Sequence, residues 1–411
     1  MGSPDELIYD WNHHEVGPPP PREKPLELDD ETLRDGLQSP SILDPSIEDK
    51  LKVLRYMEEL QIDACDIGLP GASPRAYQTC LRISQEIGKA KMRIRPNCAV
   101  RTSRADVDPL IRISQEVGYP VEAAMFIGSS PIRFYTEGWT IDKVRGMTED
   151  AVSYATKNEI PVMYVTEDTT RTDPESIRIL FQTAIAAGAY RICIADTVGH
   201  ITPQGTRALV RFIKEVVAET GTPTKIDWHG HSDRGLAIAN ALVAVEEGVD
   251  RVHATALGIG ERCGNTQMDQ LLVNLKLEGF IERDLHCLPD YCAAVSRATG
   301  QPIPDNYPAF GRDAFRTSTG VHAAAIIKAK NRGEDWLADA VYSGVPAALV
   351  GREQEIEIGF MSGASNVIYY LQQRQIEPET ALVKRILQIA KERLAILNDD
   401  DVTEIIDDFH A

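Results

Sequence analysis

The chain has no Cys-x-x-Cys pair, no apolar run approaching about 18 residues, and no excess of basic residues. Each absence removes a class of protein. Seven cysteines without paired spacing, in a chain of 411 residues, read as reduced intracellular thiols, and a cytoplasmic location is expected. Lacking a long apolar run, the chain is expected to have no membrane span. Lys and Arg number 43 against 62 Asp and Glu, a formal charge of -19, which disfavours a general binder of nucleic-acid backbones but leaves room for a local basic pocket. The first 24 residues carry Pro18 to Pro21 and several charges but no apolar signal-peptide core, and they read as a flexible or surface-wrapped leader. What is present is ordinary for a globular protein: 43% hydrophobic and 26% charged residues, suiting one large α/β domain plus a smaller one. A wholly disordered chain or a fibrous repeat is excluded.

The middle of the chain repeats one rhythm: a short β-rich run ending in polar residues, then an amphipathic helical run. The β-rich runs cover 26–29, 64–68, 92–98, 121–127, 161–165, 191–195, 225–228 and 251–255. Helical spacing marks 47–60, 176–187 and 235–248, with Gly88, Asn158, Gly188 and Gly248 as stop signals. Eight such units in about 250 residues predict a closed (β/α)₈ (TIM) barrel over 25–280. An open doubly wound sheet is the alternative. It fits less well, because the chemically loaded residues follow strands one, five, six, seven and eight, which only a closed barrel gathers at one mouth. After 280 the rhythm stops, and 281–411 reads as a mostly helical appendage, with helical stretches at 289–298, 318–330, 335–342 and 375–395. The run Asn398 to Asp401 reads as a solvated acidic turn.

Within Trp228 to Asp233, His229 and His231 are two apart, so in extended backbone they aim to one side. The bland alternative is a pair of surface or packing histidines. A second signal raises the metal reading: Asp35 follows strand one, which meets the last strands where the barrel closes. One Asp and two His leave room for water and substrate around Mg²⁺, Mn²⁺, Co²⁺ or Zn²⁺. Asn265, in the Gly-rich run after strand eight, is placed to add a carbonyl oxygen. Cys263 beside it reads as a packed small residue. Arg34 beside a cation would be repelled unless an anion joined them, which points to a substrate carboxylate and carbonyl, with Arg34 steadying a developing alkoxide. Thr197 suits a hydrogen bond to that carboxylate, and Asp196 reads as an orienter of its loop. Glu167 and Asp168 end strand five: one suits proton transfer, the other holding Arg171 or Arg101.

These segments resemble one known group, the metal-dependent barrel family that contains 2-isopropylmalate, homocitrate and citramalate synthases and hydroxymethylglutaryl-CoA lyase. The matching pieces are Glu31 to Gln38, Gly68 to Pro70, Glu167 to Asp173, Asp196 to Gly199, His229 to Ala237 and Gly258 to Asn265, with Gly320 to His322 and Tyr342 in the appendage. The resemblance implies metal ligation by Asp35, His229 and His231, with Arg34 on an oxo-acid carbonyl and Thr197 on its carboxylate. Gln38 is placed with the substrate-binding group. Proton handling maps to Glu167, His322 and Tyr342. Leu37 stands where the synthases usually have Glu. Arg316 to Thr319 and Met361 replace His-containing patterns of the synthase appendage.

The expected activity is a condensation of acetyl-CoA with a 2-oxo acid, releasing CoA, in a homodimer or larger homo-oligomer. The alternatives are lyase- or aldolase-type carbon–carbon cleavage and a non-catalytic structural relative. The Gly-rich loop and the appendage resemble the synthases more than the lyases. The chain length resembles the homocitrate type, and leucine feedback through a further regulatory domain is not expected. After strand four, Ser129 and Ser130 are placed to donate to a carboxylate and Arg133 to pair with one, which favours a dicarboxylic 2-oxo acid. The aromatic residues Phe134, Tyr135 and Trp139 leave an aliphatic or aromatic substrate open.

Overall fold

The computed structural model describes residues 4–14, 17, 22 and 24–411. The run Pro18 to Pro21 of the expected leader lies outside the described residues, whereas Arg22 donates to the carbonyls of Val245 and Val249. Two compact units form. One ends at Pro302; the other comprises 303–411 and the described residues 4–14.

In the first unit eight parallel strands close a barrel in sequence order. They are β1 Glu27–Asp30, β2 Ala64–Asp66, β3 Arg95–Arg101, β4 Glu122–Gly128, β5 Val162–Glu167, β6 Arg191–Asp196, β7 Lys225–Gly230 and β8 Arg251–Ala254. Closure runs from Glu27 opposite Arg251 to Asp30 opposite Ala254. The (β/α)₈ expectation is met and the open sheet is excluded. Two strands differ from their sequence-predicted bounds. β3 begins at Arg95 rather than Met92, because the Glu58 carboxylate takes the N–H groups of Arg93 and Ile94. β7 runs on through Gly230, held to β6 at Ala195 and Asp196, so His229 lies within the strand.

Local chemistry sets the helix starts. Ser46, Ser73, Thr140, Asp173 and Thr202 each accept the backbone N–H three residues on. That satisfies one donor the helix cannot use internally. Proline follows the cap at Pro74, Pro174 and Pro203, where its missing N–H costs nothing.

The barrel interior is charged as well as apolar. Alternation along the strands sends Asp29, Asp227, Arg251 and His253 inward. Arg251 is fully buried, with Nε 2.7 Å from Oδ2 of Asp227 and Nη2 2.7 Å from Oε1 of Glu122. Arg191 pairs with Asp227 and, at 2.7 Å, with Glu27. The helix Leu288–Thr299 belongs to this unit too, beyond the boundary at 280 read from the sequence. It packs on the helix Ile47–Glu59, and its buried Tyr291 donates to Asp30.

The second unit is mostly helical, with a two-stranded parallel ladder of Arg316–Thr317 and Glu355–Ile356. Its core contains Val367, Leu371, Leu382, Ile386 and Val402. Two features correct the sequence reading. A helix at Ala364–Gln373 was not anticipated, and the expected run 375–395 is helical only over Thr380–Glu392. The acidic run is not a turn but the start of a helix, Asp399–His410. Asn398 caps it by accepting from Asp401 N, and Asp399 to Asp401 sit at the positive end of its dipole.

Among the described residues no helix is long and apolar enough to cross a membrane. The seven cysteines form no disulfide.

Candidate active site and metal centre

The C-terminal mouth of the barrel holds a cavity of about 290 Å³, lined among others by Arg34, Asp35, Glu167, Thr197, His229 and His231. This is the end at which barrels of this kind place their chemistry. The turn after β1 is drawn back on itself, with the N–H groups of Arg34 and Gly36 donating to Glu31 O at 3.1 and 3.0 Å. Opposite it, the loop after β8 is tightened at Gly264 (φ +86°), where a Cβ would lie 1.8 Å from Gly258 O. That close approach lets Asn265 N donate to Gly258 O and bridges Asn265 to His231.

Nε2 of His229 and of His231 lie 3.5 and 3.7 Å from Oδ2 of Asp35, and one ligand atom from each residue falls within 4.8 Å of the others. The donor set fits a divalent ion. His231 Nδ1 and Asn265 Oδ1 are buried and have no hydrogen-bond partner, while Asn265 Nδ2 donates to Ile259 O at 3.1 Å. The amide oxygen is thus the atom left over. Burial, then the neighbouring His229, push His231 down to about 4, so at neutral pH its ring keeps a lone pair.

Arg34 is held by three carboxylates: Nε is 2.6 Å from Asp66, Nη1 is 3.3 Å from Asp35 and Nη2 is 3.3 Å from Glu31. Burial works against its charge, but Asp66, Asp35 and Glu31 outweigh that and hold its pKa well above the usual value. Thr197 Oγ1 accepts from Asp168 N at 2.8 Å, so its hydroxyl proton is left to donate elsewhere. The Glu167 carboxyl is raised by burial, tempered by Arg133 and Arg34. Asp168 holds Arg171 with two hydrogen bonds of 2.8 and 2.7 Å, whereas Arg101 pairs with Asp106. Asp196 accepts from Thr170 Oγ1 and from His200 N, both at 2.8 Å, which ties down its loop. Gln38 also lines the cavity.

Other expected residues lie elsewhere. Ser129 donates to Glu167 O at 3.0 Å and lies 2.7 Å from Thr172 Oγ1, so its hydroxyl serves the scaffold rather than a substrate carboxylate. Ser130 is buried with Oγ unpartnered, outside the cavity lining. Arg133 is also outside it, 3.3 Å from Glu137 and over the Trp139 ring. His322 and Tyr342 belong to the second unit, where their exposed rings stack at 4.0 Å. Cys263 is exposed, not packed as expected, because the loop tip around Arg262 (φ 54°) turns it outward from a tightly held base.

Three side chains had no part in the expected site: Glu31, Asp66 and His253. Glu31 Oε2 is 2.8 Å from His229 Nδ1. Burial would raise the Glu31 carboxyl, but His229, Arg34 and His253 hold it well below its usual range. Strand alternation could have flagged Asp66 and His253 as inward-facing; nothing local pairs them with Arg34 or Glu31.

Comparison with known proteins agrees with this geometry. Residues 26–291 match the model of the HMGL-like family. A homocitrate synthase AksA from Methanopyrus kandleri is 30% identical over 383 residues, covering 92% of this chain and 90% of that protein. A probable 2-isopropylmalate synthase from the same organism is 30% identical over 371 residues, 89% of this chain and 69% of the relative. A 2-isopropylmalate synthase from Sulfurisphaera tokodaii is 31% identical, covering 90% of each. Among solved structures, the HMG-CoA lyase of Bacillus subtilis shares the fold with a TM-score of 0.58 at 18% identity, over 69% of this chain and 97% of that one. On both the matched span and these identities, the chain belongs to the HMGL-like family.

Proposed function

We propose that the protein catalyses the divalent-metal-dependent condensation of acetyl-CoA with a 2-oxo acid, giving a 2-hydroxy acid and free CoA. The observation that carries this is the Asp35, His229, His231 cluster opening onto the same cavity as Arg34, Thr197 and Glu167. The relatives named as 2-isopropylmalate and homocitrate synthases support it. A divalent ion held by Asp35, His229 and His231, with Asn265 contributing its amide oxygen, supplies Lewis acidity at the oxo-acid carbonyl.

The side chains do the rest. Thr197 donates its free hydroxyl proton to the oxo-acid carboxylate. Glu167, whose carboxyl burial raises above its ordinary value, takes a proton from the acetyl methyl group. The carbon so formed attacks the oxo-acid carbonyl, making the new carbon–carbon bond, and Arg34 donates to the oxygen as it gains charge. That oxygen is then protonated, and water cleaves the thioester C–S bond, releasing CoA as the thiol and making the sequence effectively irreversible. His322 and Tyr342 complete the proton handling from a second copy of the chain. Arg133 pairs with a distal carboxylate of the substrate. Its present partner Glu137 is exposed, so that pair is given up at little cost.

The deciding measurement is thiol release from acetyl-CoA with a divalent metal against a panel of 2-oxo acids. A dicarboxylic acid such as 2-oxoglutarate or oxaloacetate is expected to lead, and Arg133→Ala to lower its kcat/KM by more than about 1 kcal/mol. An aliphatic 2-oxo acid leading by about tenfold or more overturns the role of Arg133. Faster cleavage of hydroxymethylglutaryl-CoA than any condensation overturns the reaction itself.

Sharing of the site between copies has its own test. Glu167→Gln and His322→Ala are each expected to lose about 100-fold or more in kcat. Statistical mixing of the two should restore about a quarter of wild-type activity, since half the dimers then carry one intact site of two. No recovery in verified mixed dimers places both residues in one chain's site.

A further inference from the structure

His253 on β8 is 1% exposed, deep in the barrel, and both its ring nitrogens are taken. Nδ1 is 2.9 Å from Oε1 of Glu31, and Nε2 is 3.0 Å from Oδ2 of Asp227. Both ring nitrogens are thus engaged by carboxylate oxygens, one just past β1 and one on β7. Glu31 turns its other oxygen to Nδ1 of His229, at 2.8 Å, which leaves His229 Nε2 as the nitrogen facing Asp35. Asp227 is in turn fixed by Arg251 and Arg191. A series of close polar contacts therefore runs from the arginines at the barrel's centre to the back of His229, its last link the 2.8 Å approach of Glu31 to Nδ1.

Glu31, His229 and His253 also bring one ligand atom each within 4.8 Å, a second three-residue cluster beside the first. The geometry decides what that cluster does, because both ring nitrogens of His253 are already taken up by Glu31 and Asp227.

We propose that His253 is a positioning residue: anchored on Asp227, it clamps Glu31 so that Glu31 fixes the ring of His229, and the Glu31, His229, His253 cluster is not a second metal site. The proposal rests on the reading that Asp35, His229 and His231 hold the ion. Partners of this kind behind a metal-binding histidine set ring orientation and basicity, and losing one typically costs about 10- to 100-fold in metal affinity.

Calorimetric titration of metal-free protein with Co²⁺ separates the two levels. Wild type is expected to bind one ion. Binding of none sinks the metal reading itself, and binding of two overturns the exclusion of a second site. His253→Gln, whose amide reaches towards Asp227 and leaves Glu31 unclamped, should weaken Co²⁺ binding about 10- to 100-fold. In His253→Asn the shorter amide replaces Nδ1 as donor to Glu31, and the loss should be clearly smaller. A merely structural histidine would lower the Tm of both variants while leaving Co²⁺ affinity within about threefold of wild type, and that result overturns the proposal. If neither variant folds, the wild-type protein still answers, isotope-labelled on its histidine ring nitrogens and titrated with Zn²⁺. The assigned ring nitrogens of His253 should stay unshifted when the ion binds. A metal-induced shift as large as those of His229 and His231 makes His253 a ligand, and the clamp is wrong.

Discussion

With His229 replaced by alanine, the protein is expected to lose at least about 100-fold in affinity for a divalent ion and about 1,000-fold in kcat/KM, while staying folded. The reasoning starts from the donor set. Asp35 and the two histidines converge within 4.8 Å, and removing His229 leaves two of the three. It also strips Glu31 Oε2 of the group 2.8 Å away, so the carboxylate chain behind the site loses its outer end. Metal binding is expected to fall more than for a change behind the ligands, because a ligand itself is gone. Metal content after dialysis, with circular dichroism as the folding control, gives the result. An unchanged content in a folded variant would falsify the assignment of His229.

The other large effect is on stability. Arg251→Met is expected to cost about 3–5 kcal/mol in unfolding free energy, because it removes one partner from a buried ionic network without removing the others. Methionine matches the stem of arginine, so a cavity is not the main cause. Asp227 and Glu122 each lose a 2.7 Å partner, and Asp29 loses a cation 3.6 Å away. The acid limb should shift as well. Burial would raise the Asp227 carboxyl, but Arg251, Arg191 and His253 hold it below the usual carboxylate range. Its stabilisation is therefore present above the unfolded-state value and lost as pH falls through the lower folded one. Taking Arg251 away raises that folded value, so acid unfolding should begin at a higher pH. Urea titration at neutral pH and an acid titration followed by circular dichroism check both halves. A loss under about 1 kcal/mol would mean that desolvation of the arginine had already offset its pairings.

The barrel was legible in the sequence because its signal is local. A short β-rich run, a polar end and a capped amphipathic helix are written within each unit, and eight copies leave few arrangements open. The paired histidines were legible for the same reason, since a spacing of two in extended backbone sets a common side. The second unit was harder to read. The helix Ala364–Gln373 has only ten residues, and the acidic run Asp399 to Asp401 reads as a turn in sequence because its helical start depends on the Asn398 cap.

By itself, then, the sequence determined the eightfold rhythm, the convergence of Asp35, His229 and His231 and the family resemblance. Tertiary structure alone decided what surrounds them. Arg34 meets Asp66 across 32 positions, Arg251 meets Glu122 across 129, and Glu31 meets His253 across 222. On the page each looks like an ordinary charged residue at a strand end. The physical reason is that a charge inside a barrel is tolerable only beside its counter-charge, and which charges become neighbours is set by closure of β1 on β8, not by any interval along the chain.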